Sequence, residues 1–280
     1  MLQRVQNSMQ RLAAQLAPAP LQLKEFDVHV HGLAPAHEGL RLAHLSDLHV
    51  GWATRSNRIQ EALALVHKAK PDLVAMTGDY ICLSRLDIAP MRRALQGLRG
   101  LRVIATLGNH DFWAGPERVA SALRDVGCDV MRNEHRNLEI RGERLWVVGV
   151  DDPVTEADDV DRAFSGVPQH EKVPLVLAHC GRIAHSIAKY PAGLILSGHT
   201  HGGQVEIPNV TDRVAKRMGM PYIRGLHEVG ETKLYVTQGI GNSALPFRAG
   251  HGAQPEVALI TLRGERRSVA RGTAKIPVVR

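Results

Sequence analysis

A chain of 280 residues, 44% hydrophobic and 22% charged, can bury a full core, and it contains neither an internal repeat nor a low-complexity tract. The net charge of +7 invites a nucleic-acid reading, but residues 263–280 hold +5 of it and residues 1–20 hold +2, leaving the middle near zero. That placement excludes a basic groove, and no nucleic-acid partner is expected.

Leu2, Val5, Met9, Leu12 and Leu16 recur at helical spacing among polar residues, which predicts an amphipathic helix ended by Pro18 and Pro20. It either packs on the domain or anchors reversibly to an anionic membrane, helped by the basic chain ends. No apolar stretch has the length to span a bilayer, and the first 30 residues lack the apolar centre of a secretory signal. Cys82, Cys128 and Cys180 are odd in number, with no Cys-x-x-Cys pair, so a reducing compartment without a disulfide framework is expected. The expected location is therefore cytoplasmic, with peripheral contact at the inner face of the membrane as the further possibility. His29, His31, His37 and His44 follow and read as surface or strand-edge histidines.

Five apolar runs then end in polar, metal-competent residues. They are Leu42–Leu45 before Asp47 and His49, Leu73–Thr77 before Asp79, Val103–Leu107 before Asn109, Pro174–Ala178 before His179, and Leu194–Ser197 before His199 and His201. An α/β sheet gathers a site at the carboxyl ends of its strands in this way. Helices are predicted around Ile59–Val66, around Met91–Leu98 and from Pro116, giving parallel strands with helical crossovers in the first half. Later strands, at Leu145–Val150, Lys233–Thr237 and Val257–Leu262, come with fewer helices, so a mixed sheet or a second packed sheet is expected. The chain divides into a lead-in at 1–37, a domain at 38–262 and a basic tail at 263–280.

The seven polar residues suit a pair of divalent ions. Asp79 is the bridging candidate, with both oxygens free; Asp47, His49 and His201 complete one shell, and Asn109, His179 and His199 the other. Mixed nitrogen and oxygen ligation suits Mn, Fe, Zn, Ni or Co better than Mg or Ca. Asp-x-His and His-x-His put alternate side chains on one side of an extended chain. Gly78, Gly108 and Gly198 precede ligands where the chain turns tightly. Two cations lower the pKa of water and so furnish a nucleophile for phosphorus. His110 is placed to act on the leaving oxygen, and Asp111 either orients His110 or caps a helix.

These residues, Ser46-Asp47-Leu48-His49, Gly78-Asp79, Gly108-Asn109-His110-Asp111, His179 and Gly198-His199-Thr200-His201, resemble the calcineurin-like metallophosphoesterases over about residues 38–262. The runs Ser197–Gln204 and Gly239–Arg248 are similar to the bacterial YkuE- and YaeI-type phosphodiesterase branch, itself similar to UDP-2,3-diacylglucosamine pyrophosphatases. The resemblance implies an α/β fold, a four-layer α/β/β/α sandwich of two mixed sheets, two divalent metals and hydrolysis of phosphoester or pyrophosphate bonds. It supports His110 as catalytic and brings Arg248 toward substrate. A lipid-linked nucleotide such as UDP-2,3-diacylglucosamine is the favoured substrate; a cyclic or general phosphodiester and a non-catalytic metal-binding scaffold are the alternatives. Cys180-Gly181 after His179 departs from the branch's usual Asn and Pro. The segment Val210–Lys233, which mixes basic and apolar residues, reads either as a cap over the site or as a solvated loop.

Overall fold

The computed structural model describes residues 20–264, apart from 55, 244 and 246. The predicted helix at Leu2–Leu16 and nearly all of the basic tail lie outside the described residues.

Two six-stranded sheets are stacked face to face. The first runs in the order β1 (Gln22–Val30), β12 (Glu256–Gly264), β2 (Leu40–Leu45), β3 (Leu73–Thr77), β4 (Val103–Thr106) and β5 (Cys128–Val130). The second runs β10 (Gly225–Val229), β11 (Thr232–Val236), β9 (Ala192–Ser197), β8 (Val173–Ala178), β7 (Glu143–Val150) and β6 (Glu134–Ile140). Both sheets are mixed. In the first, β2 to β5 and the β1–β12 pair are parallel while β12 opposes β2. In the second, β11, β9, β8 and β7 are parallel, and β10 and β6 close the edges antiparallel.

Period-two alternation decides which core each side chain joins. Leu40 and Leu42 of β2 meet Leu175, Leu177, Leu194 and Leu196 of the second sheet in the central core. Ala43 and Leu45, on the opposite face, pack under α1 (Ser56–Ala69), α2 (Ile88–Ala94) and, beyond α3 (Asn109–Ala114), α4 (Pro116–Arg124). The outer face of the second sheet is covered by α5 (Val160–Phe164) and α6 (Ala184–Ile187). A seventh helix, α7 (Thr211–Arg217), lies in the connection from β9 to β10. The layers are therefore α/β/β/α, as the resemblance implies.

Two expectations change. The folded body reaches back to Gln22, because β1 pairs along its whole length with β12, so residues 22–30 of the expected lead-in are an edge strand of the first sheet. His37 and His44 are buried rather than at the surface: His37 Nε2 meets the Ile140 carbonyl at 3.1 Å, and His44 Nε2 meets Thr77 Oγ1 at 2.9 Å.

Candidate metal centre

The parallel strands β2, β3 and β4 of one sheet and β8 and β9 of the other end at the same edge of the sandwich, and all seven predicted ligands stand just past those ends. They meet there. Ligand atoms of Asp47, His49 and His201 lie within 4.8 Å of one another; so do those of Asp79, His179 and His199, and those of His49, Asp79 and His110. Asn109 joins the second group through Oδ1, 3.0 Å from His199 Nδ1.

The backbone achieves this by sharp reversal. Asp47, His49, Asp79, His199 and His201 all have left-handed φ, between 44° and 72°, so the Asp-x-His and His-x-His pairs are not extended segments as the spacing suggests. Such values cost about 1 kcal/mol or more per non-glycine residue. The chain holds them by bonds between ligand loops: Asp47 N–H donates to the Gly78 carbonyl at 3.0 Å, His49 N–H to the Asp79 carbonyl at 2.9 Å, and Gly241 N–H to the Asp47 carbonyl at 2.7 Å. Two glycines are required by close approach. A Cβ on Gly108 would stand 2.2 Å from Asp79 Oδ1, and one on Gly198 would stand 2.2 Å from Asp47 Oδ2.

Asp79 does not turn its two oxygens to opposite sides. Its Oδ2 lies 3.4 Å from His49 Nε2 and 3.3 Å from His179 Nε2, so one oxygen faces both groups, while Oδ1 accepts the His110 N–H at 3.0 Å. The first group is as tight: His49 Nε2 and His201 Nε2 are 2.9 Å apart, and His201 Nε2 is 3.4 Å from Asp47 Oδ1. Asp47 is fixed in turn by the His199 N–H, at 3.0 and 3.1 Å from its two oxygens.

The charge balance of these groups fits divalent ions. His179 Nδ1 donates to the Thr77 carbonyl at 2.6 Å, which turns a buried Nε2 with no hydrogen-bond partner toward Asp79. A neutral ring would aim a lone pair at a carboxylate, so a cation, either a proton or a metal ion, must mediate between them. Accordingly, although burial works the other way on both, their mutual attraction holds His179 well above the usual histidine range and Asp79 below the usual carboxylate range. Burial pushes His49 down to about 3 and His199 down to about 4, so both rings are neutral donors. Burial, followed by the Arg248 charge, also depresses His201.

His110 stands beside both groups, partly exposed, with its ring 4.6 Å from that of His49 and 4.9 Å from that of Trp113. Its Nδ1 donates to the Cys82 carbonyl, and this assigns Nε2 as the nitrogen able to exchange a proton. Asp111 does not orient it. The buried Asp111 carboxylate accepts the N–H groups of Gly108, Asp79 and Tyr80 at 2.9, 2.8 and 3.0 Å, which makes it the helix cap that ties two ligand loops together. Burial and the Asp79 charge raise its pKa to about 8.

Arg248 is also corrected. Only 5% exposed, it donates to Asn242 Oδ1 at 3.2 Å, to the carbonyls of Gln238 and Gly241, and to His201 Nδ1 at 2.9 Å. Its guanidinium is thus taken up by Gln238, Gly241 and Asn242 and by the His201 ring nitrogen that faces away from Asp47 and His49. Cys180 is a buried free thiol whose pKa burial raises, and it joins none of the three donor groups.

Two residues escape the motif reading. Asp152, just past the end of β7, is buried; its Oδ2 accepts the Thr155 N–H at 2.8 Å, while its Oδ1 has no partner. Arg182 is exposed three residues beyond His179. The signal for Asp152 was present, since Asp151-Asp152 follows an apolar strand as the ligands do.

A family model described as calcineurin-like phosphoesterase matches residues 40–203. The chain belongs to this family. It is 27% identical to the metallophosphoesterase YkuE of Bacillus subtilis, over 90% of this chain and 88% of that one. Phosphodiesterase YaeI of Escherichia coli is 29% identical over 79% and 82% of the two chains. UDP-2,3-diacylglucosamine pyrophosphatase LpxG of Chlamydia trachomatis is 22% identical over 72% and 78%. This metallophosphoesterase is thus an enzyme of a metal-dependent class, with both phosphodiesterase and pyrophosphatase relatives. No helix among the described residues is long and apolar enough to cross a membrane.

Proposed function

We propose that the protein hydrolyses phosphodiester or pyrophosphate bonds with two divalent ions, and that a lipid-linked nucleotide of the UDP-2,3-diacylglucosamine kind is its substrate class. The observation that carries the hydrolytic reading is the single oxygen of Asp79 shared by two donor groups, with His110 at their side. Asp47, His49 and His201 would hold one ion and Asn109, His179 and His199 the other, with Asp79 between. When bound, such ions neutralise charge on a phosphoryl group and make water nucleophilic near neutral pH. Mn, Fe, Zn, Ni and Co all suit the donor set. The chain's own contribution is orientation and proton transfer: His110 Nε2 delivers a proton to the leaving oxygen while its Nδ1–H stays on the Cys82 carbonyl. The lipid-linked class is supported by the likeness to LpxG and by the apolar residues around the site described below. Intact ligands and His110 argue against a scaffold that has lost catalysis.

The test is hydrolysis of bis-p-nitrophenyl phosphate, cyclic nucleotides and UDP-diacylglucosamine by protein loaded with each metal in turn. Asp79→Ala should bind fewer than two ions and lose all activity. His110→Ala should keep its ions and lose turnover, most of all with poor leaving groups. Preference for cyclic nucleotides over the UDP-lipid would overturn the substrate class, and inertness toward all three would overturn the reaction.

A further inference from the structure

Eleven large apolar side chains are exposed among the described residues, and every one sits at the end of the sandwich that carries the metal ligands. Trp52 follows β2, Leu83 and Leu86 follow β3, and Trp113 follows β4. Ile207, Val210, Val214 and Met218 lie in the connection after β9, and Leu245 and Phe247 lie in the one after β11. Leu226 is at the same end, because its neighbour Gly225 pairs with Val236, the last residue of β11. The turns at the opposite end expose none of this kind among the described residues. Chance scatter of surface apolar residues, which is ordinary, does not choose one end.

These loops touch one another around the ligands. The Trp113 ring packs on His110, whose Nδ1 meets the Cys82 carbonyl next to Leu83. Asn242 Nδ2 donates to the Ala53 carbonyl beside Trp52 at 3.2 Å, and Gln204 Nε2 to the carbonyls of Leu245 and Phe247. Ile207, Val210, Val214 and Met218 are spaced by three, four and four, which is one face of the helical turn leading through α7. Arg213, Lys216 and Arg217 project from that helix, exposed, with no acidic partner at ion-pair distance among the described residues; the nearby Asp212 is engaged by Arg224 at 3.0 Å. Arg182 adds a further exposed cation at this end.

We propose that this end of the molecule docks on an anionic phospholipid bilayer and so presents the metal centre to a lipid-borne phosphate ester. Indoles, scattered aliphatic side chains and unpaired cations on one end match an interface where acyl chains lie behind phosphate headgroups. A protein partner suits the arrangement less well. It would cover the ring of apolar residues and with it the site they surround, whereas a bilayer supplies substrate through the same contact. The inference rests on the lipid-linked reading above for its purpose, but not for its geometry.

The test uses the full chain and vesicles of phosphatidylcholine with and without phosphatidylglycerol. The protein should sediment with the anionic vesicles, and Arg213→Gln, Lys216→Gln and Arg217→Gln together should weaken binding about a hundredfold, at roughly fivefold per basic residue. Val214→Ser with Met218→Ser should weaken it by about tenfold or more. Both variants should cleave bis-p-nitrophenyl phosphate at the wild-type rate. Trp146→Phe protein, which retains only Trp52 and Trp113 as indoles, should lose fluorescence on vesicles with brominated acyl chains. No binding to anionic vesicles, binding unchanged in both α7 variants, or binding without bromine quenching would each overturn the docking surface. A protein that cleaves the soluble diester yet ignores vesicles would keep the hydrolytic reading and lose this one; docking without cleavage would do the reverse.

Discussion

His44 offers a pH test of the buried interior. The ring lies on the inner face of β2, edge-on to Tyr235 of the other sheet at 6.1 Å, with Nε2 on Thr77 Oγ1. Burial lowers its pKa from 6.5 to about 3. A histidine with a depressed folded pKa stays neutral in the native state while the unfolded chain takes up a proton. Stability is therefore undiminished above the unfolded pKa and is lost as pH falls from about 6.5 toward 3. At about pH 5 the unfolded chain is roughly 30-fold favoured by this protonation, a loss of about 2 kcal/mol relative to about pH 8. His44→Gln keeps a polar contact for Thr77 and removes the titration. Urea unfolding of both proteins at the two pH values, with the same metal present, gives the double difference. The stability of the wild type minus that of the variant should fall by about 2 kcal/mol between pH 8 and pH 5. A difference that stays constant would refute a neutral buried ring.

Other outcomes follow from the site. Because His49 has φ 44°, His49→Gly should be more stable than His49→Ala by about 1 kcal/mol in chelator-treated protein, whereas at His179, which is not left-handed, alanine should be the better replacement; thermal melts of the four variants decide. Gly198→Ala pushes a methyl group into Ser46 and Asp47, so it should cost about 1–3 kcal/mol and weaken the ion held by Asp47 more than the other, as read by metal titration. Since His179 is raised well above the usual range, loading stripped protein near neutral pH should release at least one proton per chain. Apparent affinity should then climb about tenfold per pH unit until that proton is gone. Calorimetry in two buffers of different ionisation heat measures the release, and a heat independent of buffer would contradict it.

The clustering of the candidate donors was legible because each follows an apolar run, and strand ends are where such a sheet gathers its polar residues. The strands themselves were legible only when buried on both faces. β1, with the sequence QLKEFDVHV, half exposed and paired with residues more than 230 positions away, carries no apolar run that would separate it from a loop. The edge strands β6 and β10 were missed for the same reason. Arg248 and Asp111 show a different limit. Arg248 reads toward substrate and Asp111 as orienting His110 or capping a helix, but a buried polar group is defined by what surrounds it, and those partners come mostly from loops distant in sequence.

The same limit explains why the spacing of the ligands misled about their backbone. An extended Asp-x-His segment would send both side chains along one face of its own strand, which serves one ion from one loop. The structure instead bends five ligands into left-handed conformations so that donors from five loops reach two adjoining positions. No single loop could hold that geometry against its conformational cost. The Asp47 N–H leans on the Gly78 carbonyl, the His49 N–H on Asp79, the Gly241 N–H on Asp47 and three N–H groups on Asp111, so the loops that carry Asp47, His49, Asp79 and Asn109 brace one another. Loss of any one of these contacts should therefore loosen the loops on both sides of it.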